Sequence, residues 1–248
     1  MRKAIEIVNK QGNILRGYFD LPTNFFGELV IFFHGFTGNK TEHGGMFRDF
    51  SRMLSKEGYA SLRMDFFGNG ESDGEFKDFT YDTLVDDGYA IVEHVKRMEN
   101  INTITLLGYS MGGALAAYLA PRLCNDIDKL LLWSPAGNLS KLIKTRYEVS
   151  LKKENGNVDS PNFEISKEMY NSLFKYNWHS GIENYHKPVK IIHGQLDLAV
   201  NYLESNYYCE LFSNAVLKII EGAGHGYDQS KERECLFKES LKFIRGEE

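Results

Sequence analysis

Cysteine is scarce in this chain. Cys124, Cys209 and Cys235 are the only three in 248 residues, and they stand far apart. That excludes a disulfide framework and a clustered cysteine metal site, and it fits thiols that sit as ordinary side chains in a reducing cytoplasm. Positive charge is not in excess either. The 29 Lys and Arg against 34 Asp and Glu leave a formal charge of −5, without the basic balance a general nucleic-acid binder needs. Long hydrophobic runs are missing. The opening MRKAIEIVNKQGN has no apolar stretch of signal-peptide length after Arg2 and Lys3. Runs such as ELVIFFHGF are far too short to span a bilayer. There is no internal repeat and no low-complexity tract. The expectation is a cytoplasmic protein without metal or cofactor, acting on a small molecule and binding neither nucleic acid nor membrane. A homodimer stays open.

What is present is enough for a large core: 42% of the residues are hydrophobic and 25% charged. Apolar runs of strand length occur at Glu28–His34, Tyr59–Asp65, Asn102–Gly108, Asp128–Ser134, Pro188–Gly194 and Ala215–Gly222. Each is apolar on both faces, as strands of a parallel sheet covered by helices must be. Helical spacing fills the gaps, as in YDTLVDDGYAIVEHVKRM and in CLFKESLKFIRG at the end. AIEIVN and ILRGYFDLP read as a hairpin turning at Gly12-Asn13. The alternation predicts an α/β fold, a mostly parallel central sheet flanked by helices, in one domain over 1–248. One segment breaks the rhythm. Residues 137–187, rich in aromatics, separate the fourth and fifth strands by far more than a crossover takes, and read as an inserted cap.

In an open parallel sheet, ligands gather at the carboxyl ends of the strands. The third strand ends in Gly108-Tyr109-Ser110-Met111-Gly112, a G-x-S-x-G. A serine at a sharp strand-to-helix turn needs small neighbours, and its hydroxyl then projects clear of the sheet. The same letters also describe a helix start with a serine cap. The apolar strand before Ser110 and the ALAAYLA after it favour the turn.

A serine hydroxyl is a weak nucleophile without a base. Of seven histidines, His225 in EGAGHGYD follows the last strand at the right edge of the sheet, and its glycines permit close approach. His94 reads as a surface residue, and His193 as a core or near-site group. For the acid, Asp126 and Asp128 lie at the wrong edge, Asp159 is in the insertion and Asp228 follows the base. Asp197 lies just past the fifth strand, though an aspartate there often only bonds its own turn. Ser110, Asp197, His225 is the chain order of an α/β-hydrolase triad. The N–H groups of Phe36, in HGFTGNK, and Met111 are the expected oxyanion donors. DFFGNGESDGE lacks the lysine of a phosphate loop and reads as a turn beside the site. KTRYEVSLKK is basic and reads as a solvated face.

His34-Gly35-Phe36-Thr37-Gly38, the stretch Asp65–Asp73, the serine turn and EGAGHGYD together resemble the α/β-hydrolase superfamily. HGFTGN, SDGEF and SPAGNL at their relative positions are most similar to bacterial feruloyl (cinnamoyl) esterases with a compact cap, over nearly the whole chain. The resemblance implies a serine esterase with Ser110 as nucleophile, His225 as base, Asp197 as acid, and Phe36 and Met111 as oxyanion donors. It implies that the cap shapes an acyl pocket for an aromatic group. Tyr170 falls where the family often has a tyrosine facing that ring. Trp178, one of the aromatics of the insertion, is a second candidate for substrate binding. Two features depart from the pattern. Tyr109 and Met111 flank the serine where His and Gln are common. Asn138-Leu139-Ser140-Lys141 carries no acid where some members place one. An esterase for short aliphatic acyl chains or monoglycerides, and a non-catalytic binding scaffold on the same fold, remain alternatives.

Overall fold

A computed structural model describes residues 1–247. The hairpin opens the chain: β1 (Arg2–Val8) and β2 (Ile14–Asp20) run antiparallel, with Gly12 at φ +84° in the turn. β2 then pairs antiparallel with β4 (Ala60–Met64), which joins the hairpin to the main sheet. From β4 onward every pairing is parallel, through β3 (Glu28–Phe33), β5 (Thr103–Tyr109), β6 (Lys129–Trp133), β9 (Val189–Gly194) and β10 (Ala215–Ile220). The eight-stranded order is β1-β2-β4-β3-β5-β6-β9-β10. All six apolar runs are strands, shifted by no more than two residues at an end.

The run ELVIFF shows why both faces had to be apolar. Leu29, Ile31 and Phe33 enter the core on one side of the sheet, and Val30 and Phe32 the core on the other. The first core is covered by α2 (Tyr81–Lys96), α3 (Met111–Leu119) and α6 (Leu203–Leu211). The second is covered by α1 (Met46–Lys56) and α7 (Ser230–Arg245). α7 starts five residues before the apolar pattern does. Its first turn, Ser230-Lys231-Glu232-Arg233, has nothing to bury, and a capping box between Gln229 and Glu232 sets its start instead. The insertion between β6 and β9 holds α4 (Leu139–Val149), a short hairpin of β7 (Val158–Ser160) and β8 (Phe163–Ile165), and α5 (Lys167–Ser172).

One buried acid bears on stability. Asp87 of α2 is fully buried and accepts from Asn9 Nδ2 at 2.9 Å and from the Phe67 N–H at 2.7 Å. Burial pushes its carboxyl up to about 7, against the opposing pull of those two donors. A folded pKa above the unfolded one stabilises the protein at low pH, and the benefit fades as pH rises through 7. The contribution of Asp87 to the unfolding free energy should therefore drop by about 2 kcal/mol between pH 5 and 7.5. Buried His34, its imidazole pKa lowered by burial, acts in the opposite sense. Urea titrations of wild type and Asp87→Asn at both pH values therefore check this, and an equal pH dependence in the two proteins would remove Asp87 as an ionising group.

Candidate active site

Ser110 stands between β5 and α3 with φ +53° and ψ −116°, a conformation that costs a non-glycine residue about 1–3 kcal/mol. The surroundings fix it. Its N–H donates to the Trp133 carbonyl at 2.9 Å, and its own carbonyl accepts from Gly113, Ala114 and Ala136. The glycines are obligatory. A Cβ on Gly108 would lie 2.1 Å from the Gly112 carbonyl oxygen, and one on Gly112 would lie 2.0 Å from that of Phe33. The strand, the turn and the helix start are in backbone contact, and the hydroxyl is left facing out.

The three residues from separate strand ends meet. Ser110 Oγ is 3.1 Å from His225 Nε2, and His225 Nδ1 is 2.6 Å from Asp197 Oδ2. Asp197 follows β9 and divides its two oxygens between two tasks. Oδ1 accepts from the Ala199 and Val200 N–H groups at 2.9 and 2.7 Å, which is the ordinary turn role of a loop aspartate. Oδ2 is left for imidazoles. The Asp197 side chain has no exposed surface. Burial alone would raise its carboxyl pKa, but donors from His193, His225 and Val200 outweigh it and hold the group far below the usual carboxylate range.

His193 is the second imidazole on Oδ2, at 3.1 Å, and it is wholly buried. Its Nε2 also lies 2.9 Å from the Val200 carbonyl oxygen, so that nitrogen faces two acceptors and carries the proton. Nδ1 is 2.6 Å from Ser205 Oγ, whose hydroxyl donates to it. Tyr109, the unusual flank of the serine, points its ring at His225 with centroids 5.0 Å apart and donates its hydroxyl to the His225 carbonyl at 3.0 Å. It ties the imidazole's loop to the serine's own strand.

The HGFTGNK loop lies against Ser110: a Cβ on Gly35 would be 3.4 Å from the serine Cβ. Glu42 accepts the Gly35 N–H at 2.7 Å, and buried Asp65 accepts from both the Lys40 N–H and its ammonium, the latter at 2.6 Å. These carboxylates hold the loop open toward the serine. The N–H groups of Phe36 and Met111 make no hydrogen bond among the described residues. Sequence reasoning did not assign Glu42 or Lys40 to the site, and it placed His193 and the Asp65 turn near the site without giving either side chain a role there. Only the strand-end positions of Asp65 and His193 signalled them. A cavity of about 470 Å³ opens over Ser110 and His225, walled by residues 35–39 and Tyr109, with Glu42, His43 and Asp228 at the rim.

The two cap residues lie elsewhere. Tyr170 stacks on Tyr147 with ring centroids 4.2 Å apart and donates its hydroxyl to Glu148 at 2.8 Å. Trp178 is buried among Tyr81, Tyr118 and Tyr176, with its indole N–H on Ser140 Oγ at 3.2 Å. Neither lines the cavity over Ser110. Among the described residues no cluster of three or more His, Cys, Asp or Glu is placed to hold a metal ion. No described helix is long and apolar enough to cross a membrane.

Known proteins share this fold. Est1E from Butyrivibrio proteoclasticus, solved with ferulic acid bound, superposes with a TM-score of 0.84 at 27% identity, covering 98% of this chain and 100% of that one. A putative esterase/lipase of Haemophilus influenzae is 25% identical over 79% of this chain and 76% of its own length. The AB hydrolase superfamily protein YisY of Bacillus subtilis is 37% identical over 44% of this chain, and the match spans only 38% of YisY. A lysophosphatidylserine lipase of Xenopus tropicalis is 28% identical over 54% of this chain and 34% of its own length. Residues 27–178, which include Ser110 and the Phe36 loop, match the hydrolase family model described as serine aminopeptidase S33. With that match over more than half its length and an open, mostly parallel sheet that carries the serine turn, the chain belongs to this family of the α/β-hydrolase superfamily.

Proposed function

We propose that the protein is a serine carboxylic ester hydrolase. The observation that carries the reading is the continuous chain Ser110 Oγ, His225 Nε2, His225 Nδ1, Asp197 Oδ2, with links of 3.1 and 2.6 Å. His225 takes the serine proton as Oγ attacks the ester carbonyl. The oxyanion that forms accepts from the Phe36 and Met111 N–H groups, and the positive end of α3 adds to its stabilisation. The tetrahedral intermediate collapses, the C–O bond to the alcohol breaks, and the imidazolium returns its proton to that alcohol. Water, deprotonated by the same His225, then cleaves the acyl-enzyme. Asp197 keeps the imidazole in the tautomer with Nδ1 protonated and stabilises the imidazolium.

The acyl group is read as a small aromatic one of the hydroxycinnamoyl type, supported by the likeness to Est1E with ferulic acid bound. Tyr170 and Trp178, tied into the cap's own packing, shape that acyl site indirectly. Short aliphatic esters are the second reading, favoured by an apolar recess behind Phe36 with Leu139, Leu142 and Ile143 in its wall. A panel of methyl ferulate against methyl esters of two to eight carbons decides between them. Higher kcat/KM on ferulate supports the aromatic reading, and a clear maximum among the aliphatic esters overturns it.

A further inference from the structure

The basic stretch KTRYEVSLKK lies along α4 and the chain after it, and its cations have different fates. Lys144 pairs with Glu148 at 2.7 Å, and Lys153 with both Asp159 and Glu164 at 2.6 Å. Lys152 donates to the Tyr147 and Ser150 carbonyl oxygens. Arg146 differs from these. Its exposed guanidinium makes no ion pair and no hydrogen bond among the described residues. It is also the one charged group on the wall of a cavity of about 180 Å³, whose other walls are Phe36, Leu139, Leu142, Ile143, Phe163 and Ile165.

Phe36 is common to this recess and to the cavity over Ser110. With the oxyanion on the Phe36 N–H, an acyl chain on Ser110 that extends past the Phe36 side chain would meet the recess. A dry cavity of roughly 150 Å³ holds a benzene molecule, so the recess fits a ring or a chain of about six carbons. Leu142 remains 48% exposed although it lines the recess, so apolar surface stays open for a ligand. An apolar body with a free planar cation at its rim matches an acyl group built the same way. We propose that the recess selects acyl groups whose far end carries a carboxylate, paired with Arg146. The inference rests on the esterase reading and on its second, aliphatic acyl class, to which it adds a charge at the far end. A guanidinium suits a carboxylate because its N–H groups form a planar fork. The chain as a whole is negative, with a net charge of −5, so a preference for an anion has to come from a local cation.

Two methyl esters of equal length test it: monomethyl adipate, with a carboxylate at its far end, and methyl hexanoate, with a methyl group there. Wild type at pH 8 and low salt should favour the adipate ester in kcat/KM by about five-fold or more, and 0.5 M NaCl should shrink that ratio. Arg146→Gln should bring the ratio to about one, and Arg146→Glu below it. A wild-type ratio of one or less, or a wild-type ratio retained in Arg146→Gln, overturns the proposal. Labelling of Ser110 by a fluorophosphonate is followed in parallel. Absence of both label and turnover would overturn the esterase reading itself, and is distinct from labelled, active enzyme with no preference.

Discussion

Ser110→Ala should lower ester hydrolysis by roughly three orders of magnitude or more, with the fold intact. Among the described residues the hydroxyl's one hydrogen-bond partner is His225, whose side chain is partly exposed, so its removal leaves no fully buried partner stranded. The strain at φ +53° is a property of the backbone and is borne equally by alanine. Thermal unfolding should therefore move by no more than a few degrees. What remains of the rate comes from the oxyanion donors and from binding, which catalyse weakly without a nucleophile. The measurement is kcat on an activated ester together with mass-spectrometric detection of the acyl-serine. Turnover within ten-fold of wild type would sink the proposed chemistry.

That prediction was legible in the sequence because the nucleophile's surroundings are written locally. Gly108, Gly112 and the apolar strand before them occupy one short stretch, and backbone contacts near 2 Å explain why those positions exclude side chains. Asp197 and His225 were legible for a different reason. Strand ends in a parallel sheet share an edge, so order along the chain becomes proximity in space. The partners of these groups were not legible. Glu42 reaches Gly35 only because its own backbone takes φ +59°, which no spacing announces. His193 alternates along β9 like any core residue, and its ring meets Asp197 only after the chain turns back at Val200. Tyr109 stood out as an odd neighbour of the serine, yet its bond to the His225 carbonyl spans 116 positions. The cap was harder still. Tyr170 and Trp178 could be placed in the insertion but not on a face of it, because α5 packs on both α4 and α2 and β8 packs on the turn at Phe76–Asp78, contacts between distant segments that no local spacing announces.

Asp197→Asn should cost about four orders of magnitude in kcat, through the proton rather than through the fold. The carboxylate accepts four N–H donors: Ala199 and Val200 on Oδ1, His193 and His225 on Oδ2. A primary amide has one acceptor oxygen, so one pair of donors must face an NH₂ group. If the NH₂ faced Ala199 and Val200, two rigid backbone donors would be left unpaired in a buried site, at about 1–3 kcal/mol each. The imidazoles are the softer side, and the oxygen stays with the backbone. His193 cannot adapt cheaply, because its protonated Nε2 also serves the Val200 carbonyl while Nδ1 accepts from Ser205. His225 can. It shifts its proton to Nε2, accepts from the amide at Nδ1, and then offers a donor where Ser110 needs a base. KM should change little, since no binding surface is altered. Asp228→Asn is the contrasting variant, because that carboxylate is 65% exposed and meets only the exposed His43. It should lower kcat by less than about ten-fold. If the asparagine at 197 kept a rate within ten-fold of wild type while the one at 228 lost it, the acid of the site would be Asp228, and His225 would have to turn away from the four-donor pocket to reach it.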